Sequence, residues 1–258
     1  MGNLSRVAKL AAVALAAIAG MALVAVPAGA SNSYSNLILS LYPRAYWQLG
    51  ELSGTAASDS SPHRSNGTYQ GSPLLGQPGP IAGDPTTSVE FNGLGQDAAW
   101  APRASYRGHF TVVAWINTLG SIGNDAETFF DTRTPTAEYS FDYKLNGGRL
   151  MVDVGDGTKW LLTGPGIPYT FTTGTWYQVA AVVGPGQVGL YVNGTRIGNE
   201  NYPGGIPLLF DQSHQVYLGR NARYVNERFF GLIGQVAIFL RPLTASTIDN
   251  IYQTGVSP

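Results

Sequence analysis

Two aromatic residues lie in polar stretches that are typical of exposed loops. Trp160 follows the run Asp156-Gly157-Thr158-Lys159, and Tyr224 lies within Asn221-Ala222-Arg223-Tyr224-Val225-Asn226. An exposed ring can stack on the apolar face of a sugar, while carboxylate, guanidinium and amide groups bond its hydroxyls. These residue types predict a carbohydrate site, and the side chains that we assign to it are Asp156, Trp160, Arg223, Tyr224 and Asn226.

Trp100 and Tyr143 are second candidates for exposed aromatic side chains. For Trp160 and Tyr224, the alternative interpretation is packing against a neighbouring loop or sheet edge, because large aromatic side chains are buried more often than they bind ligands. The sequence leaves both interpretations open.

Carboxylates offer a second chemistry, since cleavage of a glycosidic bond needs a pair of acids that flank the bond. The acids that come closest to clustering are Asp125, Glu127 and Asp131 in one run, and Asp153 with Asp156 in another. Neither run alternates in a way that would set several acids on one strand face. We interpret both groups as solvated strand-face or loop acids, so no catalytic residue is predicted.

The composition excludes several classes of function. Charged residues make up 12% of the 258 residues, the formal net charge is −1 and there is no basic block, so nucleic acid is not an expected partner. The chain has no cysteine, which excludes disulfides, a cysteine nucleophile and thiolate zinc sites. The 33 glycines and 14 tyrosines suit strands and tight turns better than helices.

Residues 1–30 have the pattern of a secretory signal peptide. Arg6 and Lys9 form a positive segment, residues 10–26 are apolar, and Ala28-Gly29-Ala30 supplies the small residues of a cleavage site. The alternative is an uncleaved membrane anchor, although the apolar run is shorter than the ~20 residues that span a bilayer. We therefore expect a secreted, extracellular protein with no membrane span after cleavage, and a signal of this style favours bacterial export.

The rest of the chain alternates between apolar runs and turn signals. Asn-Gly or Asp-Gly pairs at 92–93, 146–147, 156–157 and 193–194 separate runs of hairpin length. Two runs, residues 110–116 and 176–183, are apolar on both faces, which is typical of strands in the middle of a covered sheet. The pattern predicts an all-β, two-sheet antiparallel sandwich.

The ends of the predicted domain carry short helical signals. Residues 31–44 are a leader segment that contains a short apolar, helical piece at 37–41, and the sandwich itself is assigned to residues 45–258. A helical turn is predicted near the C-terminus, at residues 244–252.

An ordered series of segments resembles the laminin-G-like (LamG) jelly-roll domain of the concanavalin A-like lectin/glucanase superfamily. The segments are AYWQLGE at 45–51, VEFNG at 89–93, FTVVAW at 110–115, GTWYQVA at 174–180, LYVNG at 190–194 and RFFGLIGQVAIFLRPLTASTIDNIY at 228–252. The resemblance covers about residues 40–255 and implies that Trp47, Trp115 and Trp176 are core residues. Because this fold hosts lectins, adhesion modules and glycosidases, it does not define the function.

The resemblance also implies a calcium ion between an acidic turn and the closing strand. Asp59 fits the turn position and Glu51 could add a carboxylate, but this chain has Gly234 and Gln235 where the family often has acids. Calcium needs several hard oxygen ligands, usually including carboxylates, so these replacements should weaken binding. No firm cofactor is therefore predicted: calcium is a candidate that Asp59, Glu51 and backbone carbonyls could hold together, and the alternative for Asp59 is an Asx turn.

Three functions are compatible with the sequence. The first is a secreted, non-catalytic module that binds a glycan or an extracellular, cell-surface protein. The second is a structural or adhesive component of an extracellular assembly. The third is a glycoside hydrolase, although the E-x-D-x-x-E pattern of the superfamily's glucanases is missing. We favour the first, because the aromatic and polar loop residues suit binding and no paired acids suit catalysis.

Overall fold

The structure is a computed structural model that describes residues 33–120 and 126–257. Within these residues, most regular structure is strand, and two large antiparallel sheets pack face to face around one core. The predicted all-β, two-sheet jelly-roll sandwich is confirmed. The predicted signal peptide and Asp125 lie outside the described residues.

The helices and strands follow one another in this order along the described chain: α1 (Ser33–Ser40), β1 (Ala45–Trp47), β2 (Ala56–Ala57), β3 (Gly67–Gln70), β4 (Leu74–Gln77), β5 (Ser88–Asn92), β6 (Asp97–Trp100), β7 (Tyr106–Arg107), β8 (Phe110–Thr118), β9 (Glu127–Asp131), β10 (Phe141–Asn146), β11 (Arg149–Gly155), β12 (Trp160–Thr163), β13 (Ile167–Pro168), β14 (Tyr177–Gly184), β15 (Gln187–Val192), β16 (Thr195–Asn201), β17 (Leu208–Phe210), β18 (Val216–Leu218), β19 (Phe230–Phe239) and α2 (Ala245–Val256).

Strands from distant parts of the chain are neighbours in both sheets. In the described residues, the first sheet has eight strands, with the order β16-β15-β14-β8-β19-β5-β4 and β1 beside β19. The second sheet has nine, with the order β12-β11-β10-β9-β18-β6-β3-β2 and β13 beside β11, while β7 and β17 form a separate ribbon. The outward face of the second sheet carries the charged residues described below.

Strands β8 and β14 are covered on both faces, as their sequences predict. In β8, Phe110 and Val112 belong to the core between the sheets, whereas Val113 and Trp115 belong to a second apolar cluster on the opposite face. Successive side chains of a strand point to opposite faces, so a strand with two buried faces is apolar at every position.

The two helices of the described chain cover the outer face of the first sheet. Tyr34 of α1 is fully buried, and its hydroxyl accepts a hydrogen bond from the indole of Trp115 at 3.0 Å. Tyr252 of α2 stacks on the same indole, with ring centroids 5.9 Å apart. The hydroxyl of Thr244 caps α2 by accepting from the amide of Thr247. The C-terminal helix is confirmed, and it continues past its predicted end to Val256 because packing on the sheet extends it.

No helix in the described ranges has the length and apolar character to cross a membrane.

The closing strand β19 contains a bulge where the family often has acids. Its register against β8 shifts between Gly234 and Ala237, and Gln235 has a positive φ of 55°. The amide of Gln235 donates to the carbonyl of Gln48, and its side-chain oxygen accepts from the hydroxyl of Tyr46. Gln235 is therefore a buried residue that ties β19 to β1.

Candidate functional site

The outward face of the second sheet carries a row of three aspartates. The strand register pairs Asp142 of β10 with Asp131 of β9 and with Asp153 of β11. Directly paired residues of antiparallel strands project to the same face, so the three carboxylates lie side by side. Asp131 and Asp142 are fully buried and Asp153 nearly so. Buried carboxylates require cations or hydrogen-bond donors as partners.

Arg133 and Lys144 provide the cations. Arg133 Nε lies 3.0 Å from an oxygen of Asp131, and Arg133 Nη2 pairs with Asp142. Lys144 Nζ lies 3.0 Å from Asp142 and 2.7 Å from Asp153. Each cation therefore bridges two neighbouring aspartates, and we call these five residues the ion cluster.

The ion cluster shifts the pKa values of its members. Burial raises the pKa of Asp153 to about 7, helped by the charge of Asp142 and opposed by Lys144. Burial also raises the pKa of Asp131 to about 6 against the effect of Arg133. Burial alone would lower the pKa of Lys144, but Asp142 and Asp153 outweigh it and raise that pKa above its usual value. The pKa of Asp153 therefore lies well above the usual value of an aspartate.

This arrangement corrects the prediction that Asp131 and Asp153 are solvated acids. Asp131 accepts hydrogen bonds from the amides of Arg133 at 3.0 Å and Ala222 at 2.9 Å. Ala222 belongs to the loop between β18 and β19, which therefore lies against this face of the sheet. No local pattern predicts that this loop covers the aspartates, because the loop is distant along the chain from β9.

Asp156 occupies the turn between β11 and β12 and is partly exposed. One of its oxygens accepts from the amides of Thr158 at 2.8 Å and Lys159 at 2.9 Å. Burial would raise the pKa of Asp156, but these hydrogen bonds outweigh it and lower the pKa below its usual value. Asp156 therefore stays ionised and stabilises its own turn.

Trp160 and Tyr224 lie against the same guanidinium. The distance from Arg133 Cζ to the ring centroid is 5.6 Å for Trp160 and 5.4 Å for Tyr224, which is the range of a cation–π contact. Trp160 is half-buried and meets Tyr139 edge to face at 5.5 Å. Tyr224 is 37% exposed. Each ring is thus packed on one side and keeps part of its surface open.

Arg223 and Tyr224 both hold the loop between β9 and β10. Arg223 Nη2 lies 3.2 Å from Glu138, and the hydroxyl of Tyr224 donates to the other oxygen of Glu138 at 2.8 Å. Asn226 is exposed in the loop that carries Tyr224. The structure therefore brings Trp160, Arg223 and Tyr224 together.

A cleft of about 660 Å³ opens beside these residues. Its size falls within the roughly 300–1,000 Å³ of small-ligand sites. Residues from loops distant in sequence line it, namely Thr136, Ala137, Glu138, Tyr139, Gly157, Thr158, Asp211, Ser213, His214 and Arg223. Asp156 precedes Gly157 at its margin.

Sequence reasoning missed Arg133, Lys144 and Tyr139. The alternation of charged and apolar residues in Phe141–Asn146 was a usable signal, because it indicates a strand with one charged face. Arg133 and Tyr139 lie in a loop whose sequence does not reveal the strands against which it packs.

The structure also corrects two aromatic candidates. Tyr143 is fully buried in the core between the sheets, and Trp100 is buried against the ring of Phe210 at 5.1 Å. Trp47 and Trp115 are core residues, as the family resemblance implies, whereas Trp176 is only half-buried against the second apolar cluster, on the face of the first sheet that the helices cover.

Asp59 holds a turn together through its carboxylate. The side chain is buried, and its oxygens accept from the amides of Tyr46 at 2.8 Å, Ser61 at 2.8 Å and Ser65 at 2.6 Å. They also accept from the hydroxyl of Ser61 at 2.8 Å. These donors direct their hydrogens at the positions from which a cation would be bound.

The carboxylate of Glu51 also accepts hydrogen bonds from protein donors. Its two oxygens accept from the amide of Ser58 and the hydroxyl of Tyr69, each at 2.7 Å. In the described part of the chain, no group of three or more acidic or histidine side chains is arranged to hold a metal ion. Asp59 and Glu51 as they stand do not fit the calcium ion that the family resemblance implies, and Asp59 acts as the centre of an Asx-type turn.

Comparison with known proteins agrees with this architecture. A laminin G-like family model, described as Concanavalin A-like lectin/glucanases superfamily, matches residues 86–249. The chain belongs to this family. No curated protein matches the sequence significantly.

Solved structures with the same fold share little sequence with this chain. Domain 4 of AbnA, an extracellular arabinanase from Geobacillus stearothermophilus solved with arabinotriose, has a TM-score of 0.58 at 19% identity, covering 81% of this chain and 97% of that domain. The ligand-binding domain of botulinum neurotoxin serotype D, solved with N-acetylneuraminic acid, has a TM-score of 0.59 at 15% identity, covering 86% of this chain and 52% of that one.

Trypanosoma rangeli sialidase, solved with sialic acid, has a TM-score of 0.57 at 14% identity and covers 85% of this chain. This chain corresponds to 36% of the sialidase and to about half of the neurotoxin domain. At these identities the likeness establishes the fold alone.

Proposed function

We propose that this protein is an exported, non-catalytic module that binds a glycan through Trp160 and Tyr224. The observation that carries the proposal is the position of these two rings. They are separated widely in sequence, yet both lie against Arg133 and both retain exposed surface. Partly exposed aromatic rings are the surfaces on which sugars stack.

The polar side chains around the rings suit sugar hydroxyls. Arg223 lines the adjoining cleft, Asp156 precedes Gly157 at its margin, and Asn226 is exposed in the loop that carries Tyr224. They supply guanidinium donors, carboxylate acceptors and a carboxamide with both. The ion cluster below fixes Arg133, so both rings rest on a rigid support. A pre-organised site loses less entropy when it binds a ligand.

Two proteins of the same fold support the proposal that the ligand is a glycan. The AbnA domain was solved with arabinotriose, and the neurotoxin domain with N-acetylneuraminic acid. Export is proposed from the signal-peptide pattern of residues 1–30.

The absence of catalysis is proposed from the state of the carboxylates. Asp131 and Asp142 pair with Arg133 and Lys144, and they also accept backbone amides, so neither is free to attack a sugar carbon. A nucleophilic carboxylate would have to leave these partners, at a cost in buried charge.

One observation favours a glycosidase as the second candidate. Asp153 has a pKa of about 7, a value that suits a general acid, and Glu227 is a partly exposed carboxylate 3.7 Å from Arg133. If this pair were catalytic, the protein would release reducing sugar from a bound oligosaccharide, and Asp153→Asn would abolish the release while binding persisted.

A glycan array tests the binding proposal. The full chain should bind a subset of glycans. Trp160→Ala or Tyr224→Ala should weaken that binding about tenfold or more, as is usual for an aromatic ring that becomes buried when the ligand binds. Tyr42→Ala is the matched control, because Tyr42 is an exposed aromatic in the segment between α1 and β1. Absence of any bound glycan, or unchanged binding in both variants with unchanged melting temperatures, would contradict the proposal.

A further inference from the structure

A separate groove of about 590 Å³ lies at the β3–β6 side of the second sheet. It is lined by residues of the segment before β3, of β3 and β6 themselves, and of the segments that flank them. The lining residues are Arg44, His63, Arg64, Ser65, Asn66, Thr68, Gln70, Ala99, Trp100, Ala101, Arg103 and Gln215. Trp160 and Tyr224 are not among them.

The groove is strongly basic. Arg44, Arg64, Arg103 and His63 contribute to its wall, and among the described residues that line it there is no carboxylate. Arg64 and Arg103 are exposed, so their guanidinium charges face the solvent in the groove, and the exposed ring of His63 lies beside them. This concentration of positive charge in one concavity contrasts with the net charge of −1 for the whole chain.

The nearby acids do not neutralise the exposed arginines. Asp59 is buried beneath the turn, and amides and a hydroxyl occupy its carboxylate. Asp97 lies beside Gln70 in the sheet and pairs with Arg220 at 2.9 Å. Arg64 and Arg103 take part in none of the ion pairs of the described residues.

The wall of the groove is pre-organised. The hydroxyl of Ser65 accepts from Arg44, and the guanidinium of Arg44 stacks 5.0 Å from the ring centroid of Trp100. Arg64 has a positive φ of 52°, a conformation that costs a residue with a side chain on the order of 1 kcal/mol or more. The hydrogen bonds of Asp59 hold that strained turn in place.

The neutral residues of the groove suit a sugar. Asn66, Thr68 and Gln70 are exposed and offer amide and hydroxyl groups beside the arginines. Guanidinium groups bind carboxylate and sulfate through charge-assisted, bidentate hydrogen bonds. We propose that this groove binds a saccharide that carries a carboxylate or sulfate group, at a site distinct from the Trp160 and Tyr224 surface and independent of it.

Calorimetric titration of the full chain tests the site. The probes are a trimer of galacturonic acid for the carboxylate and a sulfated maltotriose for the sulfate, with neutral maltotriose and a short polyglutamate peptide as comparisons. At least one acidic sugar should bind more tightly than both comparisons, and added salt should weaken the binding. The stronger acidic probe identifies the anionic group.

Charge-removing variants localise the binding. Arg64→Asn and Arg103→Gln should each weaken the acidic sugar about tenfold or more. Asparagine tolerates a positive φ, so Arg64→Asn should not lower the melting temperature. Arg196→Gln is the matched control, because Arg196 is exposed on β16 of the first sheet. Trp160→Ala should leave the affinity for these trimers unchanged.

Several outcomes would overturn the proposal. They are failure of both acidic sugars to bind, equal affinity for the neutral sugar or for polyglutamate, and an equal loss of affinity in Arg196→Gln. A loss in Trp160→Ala but not in Arg64→Asn would assign the acidic sugar to the other surface. None of these outcomes depends on whether the glycan array shows binding at Trp160 and Tyr224.

Discussion

Burial disfavours the ionised form of the Asp153 carboxylate. Its pKa of about 7 in the folded state exceeds the roughly 3.9 of an unfolded chain. At pH values between these two pKa values, the folded state binds more protons than the unfolded state. The free energy of unfolding therefore falls as the pH rises through this range. Asp131, with a pKa of about 6, adds a contribution of the same sign over a narrower range.

Replacement of Asp153 should therefore change the pH dependence of stability. We expect the free energy of unfolding of Asp153→Asn to fall less between pH 5 and pH 8 than that of the wild type, by on the order of 2 kcal/mol. Urea unfolding at the two pH values measures the difference. Asp249→Asn, at an exposed position of α2, should keep the wild-type dependence. Equal pH dependence in Asp153→Asn and the wild type would show that Asp153 ionises normally.

Asp59 determines the shape of a turn through its hydrogen bonds. We expect Asp59→Asn to lower the free energy of unfolding by about 2–4 kcal/mol, because the new amide group must face donors that a carboxylate accepts. EDTA should leave the wild-type melting temperature unchanged, since the carboxylate is occupied by protein donors. A fall in melting temperature with EDTA that calcium reverses would contradict this account of Asp59.

Among the elements, α2 lies unusually close to the first sheet at Gly255. A Cβ atom on Gly255 would lie 2.8 Å from Trp115 Cζ2 and 3.2 Å from the ring of Tyr34. Both rings are buried, so neither can move away freely. Glycine is therefore required there by packing, although alanine is the better helix former.

The variant Gly255→Ala tests whether packing or helix propensity dominates at this position. Helix propensity alone would raise the free energy of unfolding by about 1 kcal/mol, whereas overpacking against Trp115 should lower it by about 1–3 kcal/mol. We expect a net loss of stability, measured by urea unfolding. Gln253→Ala, at an exposed position of the same helix, should change the stability little. A stabilised Gly255→Ala would show that α2 is not held tightly against the sheet.

At the scale of the whole molecule, both proposed sites use the outward face of the second sheet. Strand pairing connects Thr68 in the basic groove, through Ala99 and Tyr217, to Asp131 and Asp142 in the ion cluster. Four interstrand spacings of about 4.8 Å separate β3 from β10, or roughly 19 Å. One extended acidic glycan could therefore reach the groove and the aromatic rings together.

Glycan length tests this arrangement, provided that both proposed sites bind. In a length series of oligogalacturonates, affinity should rise by about a hundredfold once the chain spans the two sites, because the second contact becomes intramolecular. Arg64→Asn or Trp160→Ala should each remove the gain with length, while Arg196→Gln retains it. An affinity that does not depend on length would show that the sites act separately.

Much of the fold could be predicted from local patterns. The apolar residues on both faces of β8 and β14, and the Asn-Gly turn after β15, indicate a covered antiparallel sheet without knowledge of any partner strand. The polar neighbours of Trp160 and Tyr224 likewise marked these rings as partly exposed, because flanking composition is a local property.

The sequence by itself thus determined the all-β sandwich and the aromatic candidates. Only the tertiary structure decided that Asp131, Asp142 and Asp153 form a paired row, and that the arginines of three separate segments share one groove. The physical reason is that cross-strand register and loop packing depend on which distant strands are neighbours. Residues that look like solvated charges in the sequence become a buried network, or a concentrated basic surface, once those strands meet.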